Sequence, residues 1–193
     1  ARAADNAIRA GFDGVQVHAA NGYLIDAFLR DNSNFRDDEY GGSIENRIRL
    51  LDQVTRRVVD TVGGDRTGVR LSPNGEVQGV NDSNPAPLFE AAAAKLDEIG
   101  IAFLELREPR PTGTRGLPDQ PPVHPVMRKV FNGPLVLNSD YHGDDAQATL
   151  DAGEAGLHYA PVHEGGAPGR VIALAFALLQ IAAGREIIED ALR

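Results

Sequence analysis

Residues 18–23 hold three side chains that can act on one oxygen-bearing substrate: His18, Asn21 and Tyr23, in the segment VHAANGYL. They follow a short β-branched run, residues 14–18, which reads as a strand. A histidine and an asparagine can each donate a hydrogen bond to the same oxygen. Such a pair polarises a carbonyl or nitro group and stabilises the negative charge that develops on it. Tyr23 carries a phenol with an ordinary pKa of about 10. It can protonate a carbon once hydride has reached the neighbouring carbon. The same residues also fit a histidine capping a strand end, a turn-forming Asn-Gly and a core tyrosine, and spacing alone does not choose between the two. His158, His163 and Glu164 match no metal-ligand spacing, so no metal is expected.

The elements that would position these side chains alternate between strand and helix. Residues 1–10 are helix-like and end at Gly11. Ile44, Ile48, Leu51, Val58 and Val62 recur at helical spacing, with Ser43 where an N-cap belongs and Gly63-Gly64 as the stop. Further strands are expected at residues 68–71, 101–106, 135–138 and 157–162, and further helices at 87–99, 126–131, 144–152 and 171–183. A loop rich in Pro, Gly and Thr spans residues 108–122 and either covers a substrate or forms a stiff surface connection. Alternation of this kind implies βα units and a parallel sheet. The longer, more polar connections follow the strands, which suits a (β/α)8 barrel. Five strands are too few to close one. A doubly wound sheet is the competing fold, weakened by the lack of Gly-x-Gly-x-x-Gly after the first strand.

Composition narrows the partners. The chain has 193 residues, 42% hydrophobic and 24% charged, an ordinary globular balance. Its formal net charge is −9, with a pI near 5.0. An acidic surface disfavours sequence-independent nucleic-acid binding and docking on anionic membranes. There is no cysteine, which excludes disulfides and thiolate metal sites. The longest apolar run, residues 171–179, is too short to span a bilayer. No secretion signal is recognised, and a cytoplasmic location is expected. Ala1 opens inside the first helix-like stretch, so a start within a longer chain is expected.

The run GFDGVQVHAANGYLIDAFLRDNSNFRDDEYGGSIENRIRLL, residues 11–51, closely resembles the Old Yellow Enzyme family. VHAANGYL and DEYGGSIENR together are far more specific than any three-residue motif. The resemblance implies an α/β fold, a (β/α)8 TIM barrel holding FMN, of which about the last five βα units are present. It implies a flavoprotein oxidoreductase, an ene-reductase that passes hydride from NADPH or NADH through FMN. The acceptors would be activated alkenes (α,β-unsaturated carbonyls) or nitro and nitrate-ester compounds. His18 and Asn21 match the pair that binds the substrate oxygen, and Tyr23 matches the proton donor. Arg70, in GVRLSP, matches an arginine beside the pyrimidine edge of the flavin, where a fixed cation favours the anionic reduced form. Ser139 and Asp140, in PLVLNSDY, follow a strand resembling the one whose end meets the FMN phosphate.

The resemblance covers residues 1–155 and fails beyond them, so a single partial barrel domain over 1–193 with a divergent end at 156–193 is expected. The family's last strand leads into Phe-Gly-Arg-Pro. Here the sequence reads GLHYAPVHEGGAPGRV, and Gly169-Arg170 comes too late to take over that phosphate role. The family's first three strands have no counterpart in this sequence. The alternative is therefore a non-catalytic truncated half-barrel that cannot bind FMN alone and self-associates through exposed barrel edges. A phosphate-binding isomerase or aldolase barrel is disfavoured, because Lys95 and Lys129 both fall in expected helices rather than at strand ends.

Overall fold

A computed structural model describes residues 1–110, 117–139, 141, 143–155 and 157–159. Five strands, β1 (Val15–Ala19), β2 (Thr67–Leu71), β3 (Phe103–Arg107), β4 (Leu135–Asn138) and β5 (Leu157–Tyr159), form one sheet. Every neighbouring pair is parallel, and the order is β1-β2-β3-β4-β5. A doubly wound sheet reverses its strand order at a switch point. This sheet never reverses, so the competing fold is excluded and the arrangement is that of consecutive barrel units.

Seven α-helices lie among the described residues: α1 (Arg2–Arg9), α2 (Leu24–Leu29), α3 (Ile44–Arg47), α4 (Arg49–Val62), α5 (Pro85–Ile99), α6 (His124–Val130) and α7 (Gly143–Asp151). Their starts and stops follow local chemistry. The Ser43 hydroxyl accepts from Asn46 N–H at 3.3 Å, as an N-cap does. Ile48 separates α3 from α4, where a single helix is expected from the periodicity. The break is slight, since Ile48 N–H donates to the Ile44 carbonyl and Asp52 N–H to that of Ile48, both at 3.0 Å. Helix α5 starts earlier than its alanine-rich run suggests, with Pro85 at its first position, where a missing N–H costs nothing. It ends at Gly100, which takes the left-handed conformation at φ 76°. The apolar stretch at residues 171–183 lies outside the described residues.

Strand alternation divides the sheet into two faces. Val15, Val17, Ala19, Val69, Leu71, Leu104, Leu106, Leu135 and Leu137 are buried on the outer face. They share one core with Ala4 and Ala7 of α1, Leu51 and Val58 of α4, Leu88, Phe89 and Leu96 of α5, and Met127 of α6. A fully buried leucine or phenylalanine contributes about 1.5–3 kcal/mol. The opposite face carries Gln16, His18, Arg70, Glu105, Arg107 and Asn138, a polar set that corresponds to a barrel interior. The tip of the Phe103 ring lies over Gly68 on this face, where a Cβ would meet it at 2.2 Å. Among the described residues, His18, Asn21, Tyr23, Arg70 and Ser139 lie at or just beyond the C-terminal ends of these strands.

Candidate active site

Strand β1 delivers His18 on the inner face, and the chain then turns sharply. Asn21 (φ 59°) and Gly22 (φ 75°) are both left-handed. Asparagine tolerates this conformation better than most residues. Gly22 is required twice over, since a Cβ there would come within 2.5 Å of the Val77 carbonyl oxygen. Tyr23 then takes the extended N-cap position of α2. Its ring is 48% exposed and lies 5.2 Å from that of His18, tilted by 55°. The structure thus brings His18 and Tyr23 into ring contact at the mouth of the inner face.

Both His18 ring nitrogens are buried and have no hydrogen-bond partner in the protein. Burial pushes its pKa below the ordinary 6.5, and the nearby Arg70 cation pushes the same way. Glu105 and Asp26 oppose them without reversing the direction. His18 is therefore neutral at pH 7, with one N–H to donate and one nitrogen to accept. Leaving such a group unpaired costs about 1–3 kcal/mol. A ligand oxygen is the natural partner for the donor.

Arg70 is the register partner of His18 on β2, and Glu105 is the register partner of Arg70 on β3. Arg70 Nε lies 3.2 Å from Glu105 Oε1. The angle is too poor for a hydrogen bond, and Nε counts as an unpaired buried donor. The contact is an ion pair without directed bonding. Glu105 is instead hydrogen-bonded by Gln16 Nε2 at 2.6 Å and Asn138 Nδ2 at 2.7 Å. One carboxylate thus joins four strands and holds Arg70 beside His18.

Ser139 follows β4 directly and is buried, with its hydroxyl unpaired. It lies three strands along from His18 and is not in contact with it. Asp140 lies outside the described residues, as do His163, Glu164 and the Gly169-Arg170 pair; His158 belongs to β5, but its side chain is not described. Lys95 and Lys129 sit in α5 and α6, away from strand ends, as expected.

Three of the residues with unpaired buried polar atoms stand at strand ends; the others, Arg30, Arg47 and Thr55, lie in or beside helices. His18, Arg70 and Ser139 present buried donors at the C-terminal ends of β1, β2 and β4. A planar, oxygen-rich, anionic group such as FMN fits that donor set. Residues 1–157 match the model of the NADH:flavin oxidoreductase / NADH oxidase family. The chain belongs to this family. Among its flavin-oxidoreductase relatives, the chanoclavine-I aldehyde reductase of Penicillium roqueforti is 50% identical over 152 residues, 78% of this chain and 41% of the relative. The structure of the old yellow enzyme homologue from Zymomonas mobilis is 59% identical, with a TM-score of 0.79, covering 80% of this chain and 44% of that one. Morphinone reductase in complex with tetrahydroNAD is 39% identical, with a TM-score of 0.72, covering 81% and 41%. The chain thus spans about two fifths of the length of the relatives it matches.

Sequence reasoning missed the residues that brace the site. Glu105 escaped because a single acid in FLELR resembles ordinary alternation. Its inward direction, opposite the buried Leu104 and Leu106, was the available signal. Asp26, Arg30 and Ser72 form a buried ion-paired cluster beneath the Asn21–Gly22 turn. Asp26 and Arg30, spaced i to i+4 on α2, were the only local hint.

Proposed function

We propose that this chain carries the substrate-activating part of an FMN-dependent ene-reductase that uses NADPH or NADH. Its substrates are activated alkenes (α,β-unsaturated carbonyls) or nitro and nitrate-ester compounds. The observation that carries this is the pair of buried, unpartnered His18 ring nitrogens, beside Tyr23 and in register with Arg70. A histidine serving only the fold would have satisfied at least one of them.

When bound, FMN supplies the hydride that it takes from the nicotinamide donor. Arg70, Ser139 and Asp140 would hold FMN. His18 and Asn21 grip the substrate's electron-withdrawing oxygen. Their donors stabilise the negative charge that grows there as the β-carbon accepts hydride. Tyr23, exposed next to His18, delivers the proton to the α-carbon. The phenol recovers its proton from solvent, which its exposure permits. A small-molecule substrate, no nucleic acid or membrane partner and a cytoplasmic location complete this reading, in keeping with the acidic composition.

The test is a Tyr23→Phe variant assayed with NADPH and 2-cyclohexenone. Loss of a positioned proton donor should slow alkene reduction by about 10²–10⁴-fold. An unchanged rate would remove Tyr23 from this role.

A second reading has its own observation. Among the described residues, β1 and β5 each pair with one neighbour only, so the sheet keeps two edges. A chain of this extent would then be a half-barrel that holds no FMN unaided and associates through those edges.

A further inference from the structure

Asn21 stands in a left-handed conformation that non-glycine residues adopt only when something holds them there. Two side chains hold it. Gln78 Nε2 donates to the Asn21 carbonyl at 2.8 Å from the outside. Ser72 Oγ accepts the Asn21 N–H at 2.8 Å from within. Ser72 is fully buried, follows β2 directly and stands two residues beyond Arg70.

The direction of these bonds is fixed by chemistry. A serine hydroxyl has one hydrogen, and an ionised carboxylate only accepts. Ser72 Oγ donates to Asp26 Oδ2 at 3.0 Å, which aims its lone pairs at Asn21 N–H. The same Asp26 oxygen accepts Gly22 N–H at 2.8 Å. The other Asp26 oxygen accepts from Arg30 Nε at 2.8 Å, and Arg30 Nη2 donates to the Ser72 carbonyl. The ring of Ser72, Asp26 and Arg30 is closed and buried, so it has one arrangement and little freedom to adapt.

We propose that Ser72 is a positioning residue for the substrate. Held by Asp26, it locks the Asn21–Gly22 turn so that the Asn21 amide and the Tyr23 phenol address the same oxygen-bearing substrate as His18. It also ties the end of the strand that carries Arg70 to the turn that carries Asn21. One small hydroxyl thereby sets the substrate grip against the cofactor-side cation. The proposal rests on the ene-reductase reading for what the turn binds, and on geometry alone for what holds the turn.

Two measurements on the full chain test it, with Ser72→Ala and the conservative Ser72→Thr. The first is backbone amide hydrogen exchange without cofactor. Ser72→Ala should speed exchange at Asn21 by about tenfold, the size expected for one lost hydrogen bond, while the amides of β1 and β2 stay unchanged. The second uses FMN-loaded protein reduced with dithionite. The half-saturating concentration of 2-cyclohexenone for reoxidation should rise about tenfold in Ser72→Ala. Reoxidation by ferricyanide, which needs no positioned oxygen, should not change, and Ser72→Thr should restore enone binding. Unchanged exchange at Asn21, equal effects on both oxidants, or no recovery in Ser72→Thr would each overturn the proposal. A wild-type chain that reoxidises with ferricyanide but not with the enone would overturn the ene-reductase reading instead, and exchange at Asn21 would still decide what Ser72 holds.

Discussion

At the scale of residues, the site is defined by groups the protein leaves unsatisfied. His18 offers two bare nitrogens and Ser139 a bare hydroxyl, while Arg70 Nε meets Glu105 as an ion pair without a directed hydrogen bond. The protein does not lack polar partners, since Glu105 gathers Gln16, Asn138 and Arg70 a few ångströms away. The lowered His18 pKa has a consequence for stability. The folded protein resists protonating His18, while the unfolded chain takes a proton near 6.5. Stability is therefore full above pH 6.5 and declines as pH falls from there through the folded pKa. Denaturant melts between pH 7.5 and 5 should show this slope, and His18→Asn should flatten it. An equal slope in the variant would assign the effect elsewhere. Arg30 makes a sharper case. It is buried against Asp26 and lies 4.8 Å over the Phe89 ring. Replacing it with methionine leaves Asp26 as an uncompensated buried charge and should cost about 3–5 kcal/mol in a urea titration. A loss below about 1 kcal/mol would contradict an uncompensated buried charge at Asp26.

At the scale of elements, the helices are held by the outer face of the sheet rather than by their own propensity. Leu96 of α5 is fully buried in the common core. Leu96→Ala should lose about 2–5 kcal/mol of unfolding free energy. A change near zero would contradict the packing of α5 on this face. The strands were legible in the sequence as short apolar runs that each follow a glycine, and all five lie within a few residues of their expected places. Helix α5 was legible from its alanine run and Gly100. Helix α2 was not, because six residues carry no periodicity and the buried Asp26 interrupts the apolar side. His18, Asn21 and Tyr23 were picked out because they fall within six residues of one segment that resembles a known family; their spacing alone left the role open. Their braces were not, because the bonds from Ser72 to Asn21 and Asp26 span 51 and 46 positions. No local pattern encodes a contact of that separation. The strap at residues 117–122 shows the same limit. It is fastened by Asn74 Nδ2 to the Gln120 carbonyl at 2.8 Å and by Gly75 N–H to Asp119 at 3.2 Å.

At the scale of the whole molecule, the described residues form one wall of a barrel. Helices cover one face of the sheet, and the other holds a polar row that a barrel would enclose. No helix among the described residues is long and apolar enough to cross a membrane. If the sheet edges stay uncovered, the protein should associate. Light scattering should then show a mass that rises with concentration, whereas a monomer of 20.6 kDa at all concentrations would mean the edges are protected. The central claim is that His18 and Arg70 on the inner face, with the buried Ser139 just past β4, form a flavin site. An absorbance spectrum of the purified chain, taken after incubation with FMN and desalting, tests it most directly. The account predicts retained flavin bands with a shifted maximum, much reduced in Arg70→Ala. A wild-type spectrum without flavin would contradict it and leave the half-barrel reading in its place.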